Sequence, residues 1–141
     1  MNAELKQMID NGECALAVCA ADGSTITANG HTIAPLVTLA EDMAEMFPGA
    51  CGADRVIGKG AAAILAWMGV REVYGRLMSE SGKQLLERYG IEASCSILVS
   101  TIDNNSRTGM CPLEKLVESI PEDDLDACAN AVVEFAHSLR R

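Results

Sequence analysis

Two short segments carry residue types whose spacing could do chemistry. The first is Asp54-Arg55-Val56-Ile57-Gly58-Lys59-Gly60-Ala61-Ala62-Ala63. Glycines where a strand turns into a helix let the backbone approach a ligand. The helix start then offers free N–H groups and partial positive charge to an anion. Lys59 adds a full charge, and Asp54 stands at the far end of the short strand. The run is not a P-loop, because Gly60 replaces the required hydroxyl residue. Gly58, Gly60 and Ala63 do meet a G-x-G-x-x-A dinucleotide fingerprint, but the chain has no room for a second mononucleotide half. A competing explanation needs no ligand: glycine and alanine allow close helix–sheet packing and Lys59 is solvated.

The second segment is Arg107-Thr108-Gly109-Met110-Cys111-Pro112-Leu113-Glu114-Lys115. Proline suits the first helical position, which makes Cys111 the expected N-cap and Glu114 the third helical residue. A cysteine there faces orphan N–H groups and the positive end of the dipole, which favours thiolate. Arg107 could assist it. The plainer alternative is a thiol at a cap position, with Glu114 bonding back to its own turn. Both segments lie where a strand's carboxyl end passes into a helix, where open α/β sheets bind ligands. Lys59, Cys111 and Asp103 would then converge on one crevice. His31 and His137 read as structural, the latter as a cation in the last turn of the final helix.

The elements that must position these segments follow from periodicity. Leu5, Met8 and Ile9 predict a helix over residues 3–11 ending at Asn11-Gly12. Residues 14–21 are apolar on both faces, as in a central strand. Asp22-Gly23 then predicts a hairpin to a polar edge strand over 24–28. Leu36, Leu39, Ala40, Met43 and Phe47 predict one helix from Pro35 to Phe47. Strands at 54–57, 70–78 and 91–101 alternate with helices at 60–68 and 79–89, the latter closed by Gly69 and Gly90. Residues 103–110 read as a polar loop, followed by helices at 112–119 and 125–139. Strands alternating with helices predict a three-layer α/β/α fold: a mixed sheet with an N-terminal antiparallel hairpin followed by parallel strands. The 141 residues are read as a single domain, 1–141.

Composition narrows the partners. Eleven Lys+Arg against 20 Asp+Glu leave a net charge of -9, and a surface this acidic repels phosphate backbones and anionic lipid. Aromatics at 4% supply few stacking platforms for single strands. Nucleic acid and membrane are therefore not expected as partners, whereas a small-molecule ligand is. A mean hydropathy of +0.14 leaves room for a homodimer. The six cysteines show no C-x-x-C, and no His-Cys or His-Glu cluster has metal-ligand spacing. No metal or cofactor is expected. Without a basic-then-apolar opening segment, and with free thiols, a reducing cytoplasm fits best.

Asp54-x-Val56-x-Gly58-Lys59 and Thr108-Gly109-x-Cys111-Pro112-x-Glu114-Lys115, in this element order, resemble an uncharacterised prokaryotic family of cytidine-deaminase-like fold. The resemblance runs from about residue 13 to 120. Zinc deaminases carry [HC]-x-E at one core helix start and P-C-x-x-C at the next. Here Lys59-Gly60-Ala61 holds neither ligand nor glutamate, and a single cysteine, Cys111, stands at the second start. The resemblance thus implies a deaminase-like fold without zinc-dependent deamination. The expected function is binding of a small anionic or nucleotide-like ligand around Lys59 and Cys111, with Asp54, Gly58, Gly60, Asp103, Arg107 and Glu114 as ligand contacts. The alternative is a metal-independent enzyme with Cys111 as nucleophile and Lys59 as anion clamp or proton donor.

Overall fold

The computed structural model describes residues 3–30, 32–102 and 111–139. Asp103, Arg107 and His31 lie outside them. The elements are α1 (Ala3–Asp10), β1 (Leu16–Cys19), β2 (Thr25–Ala28), α2 (Ala34–Asp42), β3 (Cys51–Ile57), α3 (Lys59–Trp67), β4 (Glu72–Ser79), α4 (Glu80–Arg88), β5 (Glu92–Val99), α5 (Pro112–Glu118) and α6 (Leu125–Ser138). The strands form one sheet in the order β2-β1-β3-β4-β5. β1 is antiparallel to both β2 and β3. β3, β4 and β5 run parallel. The polar hairpin strand β2 is therefore an edge, as its composition predicts.

Period-two alternation splits β1 between two cores. Leu16 and Val18 join a large cluster with residues of α2 through α6, while Ala17 packs with Leu5 and Ile9 of α1. One helix thus covers one face of the sheet and five cover the other. This is why β1 is apolar on both sides. The described residues include no helix long and apolar enough to cross a membrane.

Four expected boundaries are corrected. The helix expected to run from Pro35 to Phe47 stops at Asp42, with Met43 as its C-cap, and a 3₁₀ turn over Ala44–Met46 follows. Its tighter i→i+3 bonds bring fully buried Phe47 into the core just before Pro48-Gly49. β3 starts at Cys51 rather than Asp54. The strand runs through Gly52, where a Cβ would stand 3.4 Å from Leu65 Cδ2 of α3, at ordinary contact distance. The glycine closures of α3 and α4 hold, with Gly69 at φ +84 and Gly90 at φ +75. Leu139, expected on the apolar face of the last helix, lies beyond its end and is 46% exposed. α5 ends at Glu118.

α1 is fastened to the sheet by a polar contact as well as by Leu5 and Ile9. The Tyr74 hydroxyl on β4 donates to Asp10 Oδ1 at 2.6 Å and also meets Ser96 Oγ of β5. Arg76 Nη1 donates to Asp10 O at 3.2 Å. Tyr74→Phe is expected to cost about 1–2 kcal/mol in urea unfolding while leaving the sheet's circular dichroism unchanged, since only the hydroxyl's bonds are removed.

Candidate functional site

The two segments singled out by sequence meet in space, although not in the manner expected. α3 begins at Gly58, its N-cap, in extended backbone. The orphan N–H groups of that start are satisfied by Glu114 of α5: Lys59 N donates to Oε1 at 2.7 Å and Gly60 N to Oε2 at 3.2 Å. A carboxylate spanning two N–H groups at a helix start is the arrangement that dipole and hydrogen bonding favour together. The anion site at this start is filled by the protein's own side chain. Glu114 does not bond back to its own turn, and Cys111, although the N-cap of α5, makes no side-chain cap bond.

Glycine is what allows this approach. A Cβ on Gly58 would overlap the Glu114 carboxylate, and one on Gly60 would sit 2.9 Å from Leu113 Cδ2. Lys59 returns the contact: its ammonium donates to the Ile120 carbonyl just beyond the end of α5. The first turn of α3 therefore receives a carboxylate from α5 and gives a cation to the carbonyl end of the same helix. Lys59 is 7% exposed and Glu114 8%. Neither is the solvated side chain of the ligand-free alternative, and Lys59 is not an open anion clamp.

Two cavities flank this clamp at the carboxyl ends of the parallel strands, and Glu114 lines both. The smaller, about 280 Å³, holds Lys59 with Glu118 and Glu122. The larger, about 760 Å³, is walled by Leu16, Ile33, Leu36, Leu77 and Phe135, and its polar groups include Asp54, Arg55, Thr101 and Cys111. Cys111 and Lys59 thus line different cavities. Asp54, Gly58, Cys111 and Glu114 line the larger one. Thr32, Arg55 and Thr101 are polar lining residues that sequence reasoning passed over. Arg55 stands inside the quoted glycine run, but nothing in a single chain signals that its Nε is buried.

Asp54 is the electrostatic anomaly. It pairs across the ladder with Leu16, a residue of the large core, so its side chain shares that face of the sheet. Burial pushes its carboxyl up from the ordinary 3.8 to about 7, against a weak opposing bond from Val56 N at 3.4 Å and the charge of Arg55. Beside it, Arg55 Nε is buried without a hydrogen-bond partner. A raised carboxyl and, on the next residue, an unsatisfied guanidinium nitrogen are features that functional sites concentrate.

A zinc ion of the kind the deaminase-like resemblance brings to mind does not fit these donors. Glu114 is engaged by two N–H groups, and the described residues hold no group of three acidic, thiol or imidazole side chains that could ligate a metal. Of the histidines, His137 pairs with Glu41 of α2 at 3.0 Å, away from the cavity.

Sheet, flanking helices and cavity together define a mixed α/β protein whose ligand-sized space opens where β3 to β5 end. The chain belongs to the family described as TM1506, a domain of unknown function (DUF1893), whose profile matches residues 4–134. It is similar to the crystal structure of a DUF1893 family protein (TM1506) from Thermotoga maritima solved at 2.70 Å, with a TM-score of 0.79. The two share 23% identity, over 94% of this chain and 86% of that one. At that identity the likeness speaks to the fold. No curated protein matches the chain.

Two outcomes follow from this geometry. Gly58→Ala and Glu114→Ala are each expected to cost about 2–4 kcal/mol by chemical denaturation, the first by expelling the carboxylate and the second by orphaning two N–H groups. The double variant is expected to fall well short of their sum, because both break one contact. For Asp54, the folded pKa lies above the ordinary one, so its favourable contribution is complete below pH 4 and is lost as the pH rises through about 7. Asp54→Asn is therefore expected to match the wild type near pH 4 and to exceed it by about 1–3 kcal/mol at pH 8.

Proposed function

We propose that the protein binds a small molecule in the larger cavity, an apolar body against Leu16, Leu36 and Phe135 and a hydrogen-bonding head against Asp54 and Arg55. The observation that carries this is Asp54. A carboxyl held near pH 7 in an apolar wall destabilises the fold, and such groups gather where a ligand or a proton is handled. Arg55 Nε, buried and unpartnered, supplies a donor for an acceptor or anionic group on the same ligand. A nucleotide-like molecule remains within this class, with its recognition moved from the α3 start to β3.

The finer reading of the architecture as cytidine-deaminase-like is supported by the meeting of the α3 and α5 starts, the two places where that fold carries its metal motifs. In this chain a carboxylate bridging two amides joins them, and metal-assisted deamination has no donors to rest on. A second reading keeps the cavity and makes Cys111 the nucleophile, since its thiol lines the same wall as Asp54.

The test is thermal shift and calorimetry against nucleosides, nucleotides and aromatic carboxylic acids. At least one class is expected to raise Tm in the wild type, with Asp54→Asn reducing its affinity at least tenfold (about 1.4 kcal/mol). Cys111→Ser is expected to leave that affinity unchanged; loss of turnover or of a covalent adduct in Cys111→Ser would favour the nucleophile. An absence of any shift, or an affinity indifferent to Asp54, would overturn the binding proposal.

A further inference from the structure

The opposite face of the sheet holds a cysteine pair that plays no part in the cavity. Cys19 ends β1 and Cys51 begins β3, and the two are direct partners in the antiparallel ladder. Direct partners present their side chains on the same face, here the face covered by α1. Cys51 belongs to the buried cluster of Leu5, Ile9 and Tyr74, and Cys19 packs against that cluster.

The ladder also sets their separation. Arg55 N donates to Ala15 O, and hydrogen-bonded pairs recur at every second residue, which places Cys19 and Cys51 in that class. Such partners have Cα atoms about 5.5 Å apart, inside the roughly 4.4–6.8 Å that a disulfide spans. Both thiols are free. Cys19 is partly exposed, whereas Cys51 is 5% exposed and its Sγ–H points to Glu72 Oε1 at 3.7 Å.

We propose that Cys19 and Cys51 are an oxidation site, which a hydroperoxide converts into a disulfide tying β1 to β3. The more accessible Cys19 reacts first. Its sulfur attacks one peroxide oxygen, an S–O bond forms, the O–O bond breaks, and the departing oxygen leaves with the electron pair and is protonated. The Cys51 sulfur then attacks the sulfenic sulfur of Cys19. An S–S bond forms, the S–O bond breaks, and the hydroxyl departs as water with the Cys51 proton. With hydrogen peroxide, two thiols lose two electrons and two protons, and the peroxide becomes two waters. Because β3 carries Asp54 further along, the bond would stiffen the strand that positions the cavity's carboxyl.

Hydrogen peroxide treatment of the whole chain, followed by unfolding, alkylation and non-reducing peptide mapping, tests this. The expected result is four alkylated cysteines of the six, a mass lower by two hydrogens, and one peptide joining Cys19 to Cys51 that dithiothreitol separates. Cys14→Ser is expected to retain the link. Cys51→Ser is expected to lose it and leave a sulfenic acid on Cys19 that dimedone captures. Six alkylated cysteines, a link to another cysteine or another molecule, or Cys19 oxidised to sulfinic acid with Cys51 still free would overturn the proposal. The wild-type result alone decides the matter if either variant fails to fold.

Discussion

Two helices that meet beyond the carboxyl ends of a sheet's strands leave unpaired backbone groups buried from water, and this constraint organises the molecule. The start of α3 needs acceptors, and the carbonyls around the end of α5 need donors. Glu114 and Lys59 meet both needs at once: the carboxylate receives the Lys59 and Gly60 amides, and the Lys59 ammonium reaches Ile120 O. Neither charge is in solvent, and each is held by backbone groups of the other helix or of the residue just beyond it. Such a pair sets the relative position of α3 and α5 more sharply than apolar packing alone, because its bonds are directional.

The large cavity depends on that position. Its walls come from β3, from the two clamped helix starts and from α2 and α6, so a shift of α5 against α3 would change its shape. Two carboxylates bound the cavity and differ in kind. Glu114 is fully engaged by amides. Asp54 has only weak backbone bonds and the neighbouring Arg55 charge to set against its desolvation. The first holds the fold together, and the second works against it. A destabilising group at one position of a central strand is what the proposed binding function draws on.

Much of the architecture was legible from periodicity. The order of helices and strands, the polar edge of β2, and the glycine ends of α3 and α4 all rest on local rules that tertiary packing did not override. The misses are equally local in origin. Sequence pattern places the third strand at 54–57, yet it begins at Cys51 and runs through Gly52, which faces Leu65 thirteen positions on in sequence and adjacent in space. The helix through Phe47 was overextended because an apolar stripe fits both a continuous helix and a helix closed by a 3₁₀ turn. In the candidate site, Asp54, Cys111, Gly58 and Glu114 did come together, while Lys59 turned to the other side of Glu114.

The sequence by itself determined which residues could act and that Gly58, Lys59, Gly60 and Glu114 belonged to helix starts, because capping and glycine geometry are written in neighbouring residues. It also determined the acidic, apolar-rich composition of the chain. Only the tertiary structure decided what those groups do. Glu114 reaches α3 rather than its own turn, Lys59 is consumed by a carbonyl, and Asp54 is desolvated by residues drawn from distant parts of the chain. Hydrogen-bond partners and local dielectric are properties of what folding brings near, and no spacing along one strand or helix encodes them.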